Sequence, residues 1–241
     1  MNLRVNHVTR GDLRSRLASP KVLWVLRLYV AALGVLAVFS LPPQGGRSPA
    51  LAEGDLAQLF FVFQVAWVVY LTSALAVGEI GVEGEKGILD LSVTSFPSRM
   101  IASGKLWTAL LSASALVVLS LPLVILITPD RAAAPGALRA LAAMVPLAAP
   151  LALMGAWLPA AIPSDVLRTV LHWSVFLLIF AATRWLPDPL MLLNPMRMVG
   201  AAYLGEPALW PLALAPYLLA GALGWYLIHR TVQVRRREMR P

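Results

Sequence analysis

Between Leu106 and Thr128 the chain reads LWTALLSASALVVLSLPLVILIT, twenty-three residues without one charge. As a helix this stretch would measure roughly 34 Å, enough to cross a hydrocarbon core about 30 Å thick. Five further apolar windows lie on either side of it, at roughly 22–41, 58–80, 138–161, 169–187 and 207–229. The gaps between windows hold helix breakers: Pro42-Pro43-Gln44-Gly45-Gly46, Pro129 with Pro135-Gly136, Pro163, Pro187 and Pro189. None of these gaps is long enough for a folded domain. Of 241 residues 59% are hydrophobic and 13% charged, and the mean hydropathy is +0.75. Soluble domains do not have this composition, so lipid is the expected solvent. The predicted fold is all-α: a polytopic membrane protein with six transmembrane helices over 22–229, a cytoplasmic N-terminal segment 1–21 and a basic cytoplasmic tail 230–241.

The net charge of +8 would suggest nucleic acid in a polar chain. Here the basic residues sit in short clusters between apolar runs, where anionic headgroups explain them and no nucleic-acid partner is expected. Arg4, Arg10, Arg14, Arg16, Lys21, Lys86, Arg99, Lys105, Arg168, Arg230, Arg235, Arg236, Arg237 and Arg240 fall on one side of a six-span layout. Arg47, Arg131, Arg139, Arg184 and Arg197 fall on the other, and Arg27 lies inside the first window within snorkelling reach of the interface. Fourteen against five places both termini in the cytoplasm, with the chain multi-pass in the cell (inner) membrane. Leu13 and Leu17, four apart among Arg10, Arg14 and Arg16 and followed by Ser19-Pro20, fit a short interfacial helix before the first span. A basic tail that only sets orientation fits them too. No removable signal peptide is expected, since no small-residue cleavage site precedes a soluble domain. Cysteine is absent, which excludes disulfides and thiol chemistry.

The second-to-third loop, Glu79 to Lys105, holds a third of the acidic residues at Glu79, Glu83, Glu85 and Asp90. Within it Ile88, Leu89, Leu91 and Val93 form a short apolar run bracketed by Gly87 and Pro97, the pattern of an amphipathic helix parallel to the membrane. Carboxylates beside an anionic membrane call for a basic partner. A solvated loop whose acids offset Lys86, Arg99 and Lys105 would satisfy the same charges.

The string Glu83-x-Glu85-x-Gly87-x-Leu89-x-Leu91, followed by Pro97-Ser98-Arg99 and Gly104-Lys105, resembles the same loop of the ABC-2 type permease family. Leu13-Arg14-x-x-Leu17-x-Ser19-Pro20 is similar to that family's basic entry helix, and Leu193-Asn194-Pro195 to its motif between the fifth and sixth spans. The resemblance implies a coupling helix around Gly87 to Thr94, seated in a groove of a separate ATP-binding cassette ATPase, with Glu83 and Glu85 facing basic residues there. Ile88 departs from the family's usual small hydroxyl residue. The resemblance further implies that two permease copies, identical or not, work with two ATPase subunits. ATP and Mg would then be bound in the partner, because no Gly-x-x-x-x-Gly-Lys-Ser/Thr loop exists in this chain and its one Gly-Lys pair is Gly104-Lys105.

Rival classes find less support. His7, His172 and His229 are dispersed, and no His-x-x-x-His, paired-acid face or Gly-x-Ser-x-Gly is present, so a metal site or a polytopic membrane enzyme has no motif. Arg168 and His172, four apart, read as interfacial anchors. An ion-coupled secondary transporter needs ionisable groups at mid-membrane, and the windows are nearly free of them. Polar candidates for a pathway lining are Gln64, Thr72, Ser73 and Ser112, with Gln58 and Ser114; packing through interhelical hydrogen bonds explains them equally well. Pro146, Pro150, Pro211 and Pro216 suggest kinks. The connector from Leu186 to Trp210 is apolar at 190–193 and broken at Asn194-Pro195. In the family this place holds re-entrant helices forming an external gate, whereas residues alone also allow a surface loop. A pathway of Ala, Leu, Val and Trp favours a hydrophobic or amphiphilic exported molecule.

Overall fold

The computed structural model describes residues 20–40, 53–85, 96–127, 134–162, 164–185, 187, 190–205 and 209–238. Seven α-helices appear among them, and no strand: α1 Pro20–Ser40, α2 Glu53–Glu85, α3 Ser98–Ile127, α4 Ala134–Ala161, α5 Asp165–Phe180, α6 Pro195–Leu204 and α7 Leu209–Glu238. Two 3-10 turns, Ala182–Trp185 and Leu190–Leu193, lie between α5 and α6. Ser98–Ile125, Ala134–Leu158 and Leu212–Arg237 are long and apolar enough to cross a membrane. Val22–Leu36, Phe60–Ala76 and Val166–Phe180 are shorter apolar helices.

The core is apolar, and unlike that of a protein folded in water the outer surface is apolar as well. Large apolar side chains cover the outside of α1, α3, α5 and α7, with Ile125 73%, Val166 74% and Leu219 71% exposed. Polar side chains lie inside: Gln64, Thr72, Ser73, Thr108, Ser120 and Asn194 are all buried. This arrangement suits an apolar solvent, where polar groups gain by pairing within the bundle and leucine gains nothing by hiding. α2 and α4 form the central pair, with α7 and α3 packed on α4 and with α1 and α5 peripheral. Where α2 and α4 approach their C-termini, α3 its start and α7 its end, the core is Ala76, Ala102, Ala109, Ala152 and Ala156 with Ile101, Leu153, Ile228 and Val232. Small residues there allow close helix approach. At Gly224 of α7 an added Cβ would lie 3.0 Å from the Leu153 Cβ.

Hydroxyls inside the helices turn back onto their own backbone, Thr72 to the Val68 carbonyl at 2.6 Å, Thr108 to Gly104 at 2.9 Å and Thr231 to Leu227 at 2.8 Å. In a medium without water this satisfies the hydroxyl locally. Pro122 and Pro216 lie within α3 and α7, each removing one rung of the helical ladder.

Several predicted boundaries shift. α2 does not stop near residue 80 but runs through Gly81 and Gly84 to Glu85, and α3 begins at Ser98, well before residue 106. The predicted loop 79–105 is therefore helical at both ends. Glycine weakens a helix by only about 1 kcal/mol each, and no proline interrupts α2. Pro97 instead sets the start of α3, its carbonyl accepting from the amides of Met100 at 2.9 Å and Ile101 at 3.2 Å. The fifth window moves from 169–187 to α5 at 165–180, beginning at the N-cap Ser164, whose side chain accepts from the Leu167 amide. The segment 186–210 contains α6 rather than one long loop, with Pro195, Met198, Val199, Ala201 and Ala202 buried against its neighbours. The N-terminal amphipathic segment around Leu13 and Leu17 lies outside the described residues, as do Gly87, Ile88, Leu89 and Leu91.

Candidate functional site

The residues that bracket the predicted coupling segment come from three helices. Glu83 and Glu85 belong to the last turn of α2. On the other side, Pro97 is exposed and Ser98 buried at the start of α3. The Phe96 ring packs on the apolar cluster of Ile101, Ala102, Ile228 and Val232. From the last turn of α7, the Arg236 guanidinium donates to the Phe96 carbonyl. The start of α3 and the end of α7 thus meet at Phe96.

A second polar group sits deeper. Ser73 of α2 is buried and donates its hydroxyl to the Leu151 carbonyl of α4 at 3.0 Å, while its oxygen lies 2.7 Å from His172 Nε2 of α5. The single hydroxyl hydrogen cannot serve both acceptors, so the direction of the Ser73–His172 bond follows the imidazole tautomer. The dyad is a three-helix latch. Tyr70 stacks on the His172 ring at 5.8 Å and meets Trp173 at 4.8 Å and Phe176 at 5.4 Å. His172 and Arg168 are both buried, which differs from the interfacial anchoring their spacing suggested. The missed signal is periodic: Arg168, His172, Phe176 and Phe180 recur every four residues and form the inner stripe of α5.

Towards the opposite end of α2, Gln64 donates from Nε2 to the Tyr29 hydroxyl at 2.6 Å, and that hydroxyl donates to the Leu116 carbonyl at 2.9 Å. One side chain, Tyr29, therefore ties α1 to α2 and α3. Gln64 Oε1 is buried and has no hydrogen-bond partner. Of the residues considered for a pathway lining, Gln64, Thr72 and Ser73 lie in interfaces within this one chain, and Ser112 is half-buried.

Asn194 and Pro195 begin α6. Asn194 is buried; its Oδ1 accepts from the Met196 amide at 2.9 Å, and its Nδ2 donates to the Phe180 carbonyl at 3.1 Å and to Thr183 Oγ1 at 3.0 Å. Tyr217 of α7 donates to the Leu193 carbonyl. At the far end of α6, Gly205 adopts φ 78° as its C-cap, and Arg139 Nε donates to the Ala202 carbonyl at 3.1 Å. A cation on the last carbonyls of a helix is favourably placed. Among the described residues no three His, Asp or Glu side chains converge as a metal site would require.

The chain matches no family model and no curated protein.

Proposed function

We propose that this chain is the membrane-spanning permease subunit of an ABC-2 type ABC transporter, crossing the cell membrane six times with both termini in the cytoplasm. The observation that carries the reading is the sequence joining α2, which ends at Glu85, to α3, which begins at Ser98. A short segment bearing Gly87, Ile88, Leu89 and Leu91 leaves α2 after Glu83 and Glu85 and enters α3 at Pro97, the layout of a coupling helix in the family it resembles. The apolar outer surface supports a bilayer as solvent. Exposed Trp24 and Trp107, near the starts of α1 and α3, and Trp185 beyond α5 suit the two interfacial belts. With no nucleotide loop of its own, the permease would draw on Mg-ATP hydrolysis in a partner ATPase. It would act as a pair of permease copies and export a hydrophobic or amphiphilic molecule between inward-open and outward-open states.

The test is substitution within the segment. Leu89→Asp or Leu91→Asp places a charge in the apolar seat and should abolish stimulated ATP hydrolysis by the assembled complex, leaving the free ATPase active. Glu83→Lys with Glu85→Lys should weaken the complex in a salt-dependent way, as rim charges do. Unchanged stimulation with all four substitutions, in a folded protein, would refute the coupling role.

A second reading, an ion-coupled secondary transporter, is favoured by one observation: His172 is a titratable group buried between three helices. It requires transport driven by an ion gradient in liposomes without ATP or a second subunit, lost in His172→Gln. The permease reading expects neither.

A further inference from the structure

We infer that α7 is the lever that carries displacement of the entrance to α3 at Phe96 across the bundle, with Arg236 as the positioning residue that fastens its driven end. The inference rests on the permease reading above and adds to it a route and an input contact.

In the sequence Arg235, Arg236 and Arg237 serve only to orient the chain, a role that needs charge and no particular geometry. The structure gives Arg236 a geometry. In the first turn of α3 the amides of Met100 and Ile101 use the Pro97 carbonyl. The Phe96 carbonyl therefore stands outside the helical ladder of α3 and takes its donor from Arg236. Ile228, Val232 and Arg236 recur every four residues along one face of α7, and the first two pack in the cluster that holds Ile101, Ala102 and the Phe96 ring. Two apolar contacts and one guanidinium thus bind the end of α7 to the residue through which 86–95 enters α3.

The other half of α7 reaches the opposite region of the fold. Pro216 removes the amide that would pair with the Leu212 carbonyl, which makes this a place where the helix can bend. Next to it, Tyr217 holds the Leu193 carbonyl, one residue before the Asn194 cap of α6. A shift of Phe96 is passed through Arg236 to α7, and through Tyr217 to the start of α6.

The absence of cysteine makes the test direct. Spin labels at Arg99→Cys and Val234→Cys, both exposed positions, report the distance between the start of α3 and the end of α7 for the full chain in lipid nanodiscs. A single narrow distribution is expected; Arg236→Met should broaden it and Arg236→Lys should restore most of the narrowing. In the complex with its ATPase, Leu204→Cys at the exposed end of α6 should change its maleimide labelling rate on addition of ATP and vanadate. Arg236→Met should abolish that ATP dependence while hydrolysis persists, an effect that mere loss of stability would not produce. A distribution equally narrow in Arg236→Met, or an ATP-dependent change at Leu204→Cys that survives it, would overturn the lever. If no ATPase complex exists, the permease reading fails by itself, and the distance measured on the isolated chain still decides whether Arg236 fastens α7.

Discussion

At Gly136 a single methyl group decides whether α4 and α6 can meet, because an added Cβ would lie 2.3 Å from the Tyr203 carbonyl oxygen. Backbone, not a flexible side chain, stands in the way. Gly136→Ala should therefore cost about 1–3 kcal/mol, the usual cost of overpacking, seen as a lower Tm of the purified protein; an unchanged Tm would show that the two helices are not in register here. Tyr29 and Gln64 permit a sharper test. Tyr29→Phe removes the hydroxyl that Gln64 Nε2 uses, leaving both ends of a buried amide unpaired. The variant should lose about 1–3 kcal/mol, and adding Gln64→Leu should recover much of the loss, since replacing both partners by apolar groups is nearly neutral. Simple additivity of the two losses would contradict the pairing. Asn194→Ala should cost about 1–2 kcal/mol, because it deletes the cap of α6 together with the tie to Phe180 and Thr183.

The central elements of the bundle differ sharply from its peripheral ones. The apolar window of α4 is 72% buried and that of α7 22%, while among the described side chains of α5 only Arg168, His172 and Phe180 are buried. Hydrogen exchange should accordingly be slowest in α4 around Leu141 to Leu153 and fastest at the start of α5; equal protection in both would contradict the core described above. How far the sequence reaches is clear at this scale. Apolar windows locate α1, α2, α3, α4, α5 and α7, since a long uncharged run such as 106–127 leaves no alternative to a helix. Their ends are less legible, because Gly78, Gly81 and Gly84 look like a turn yet only weaken α2, and Gly104-Lys105 look like a loop yet lie two turns into α3. α6 escapes hydropathy because ten residues with a polar cap and Arg197 are too short and too mixed to register. The Ser73 to His172 latch joins residues 99 apart in the chain, and the Arg236 contact spans 140. Pairings at that separation depend on which helices become neighbours, and composition carries no information on that.

For the whole molecule, the apolar outer surface and the asymmetry of basic residues predict environment and orientation. A cysteine introduced at Ser95 should resist an impermeant reagent added to intact cells, and one at Gln44 should react; the reverse pattern would overturn the topology. The central claim, that a separate ATPase drives this chain through the segment between α2 and α3, is tested most directly by isolating the full chain under mild conditions from its own membranes and measuring Mg-ATP hydrolysis in the purified material. A stoichiometric complex with a soluble ATP-binding cassette subunit is expected, with vanadate-sensitive hydrolysis and loss of that subunit when Glu83→Lys and Glu85→Lys are both present. A folded chain that purifies without any ATP-hydrolysing partner, or a complex indifferent to both charge reversals, would contradict it.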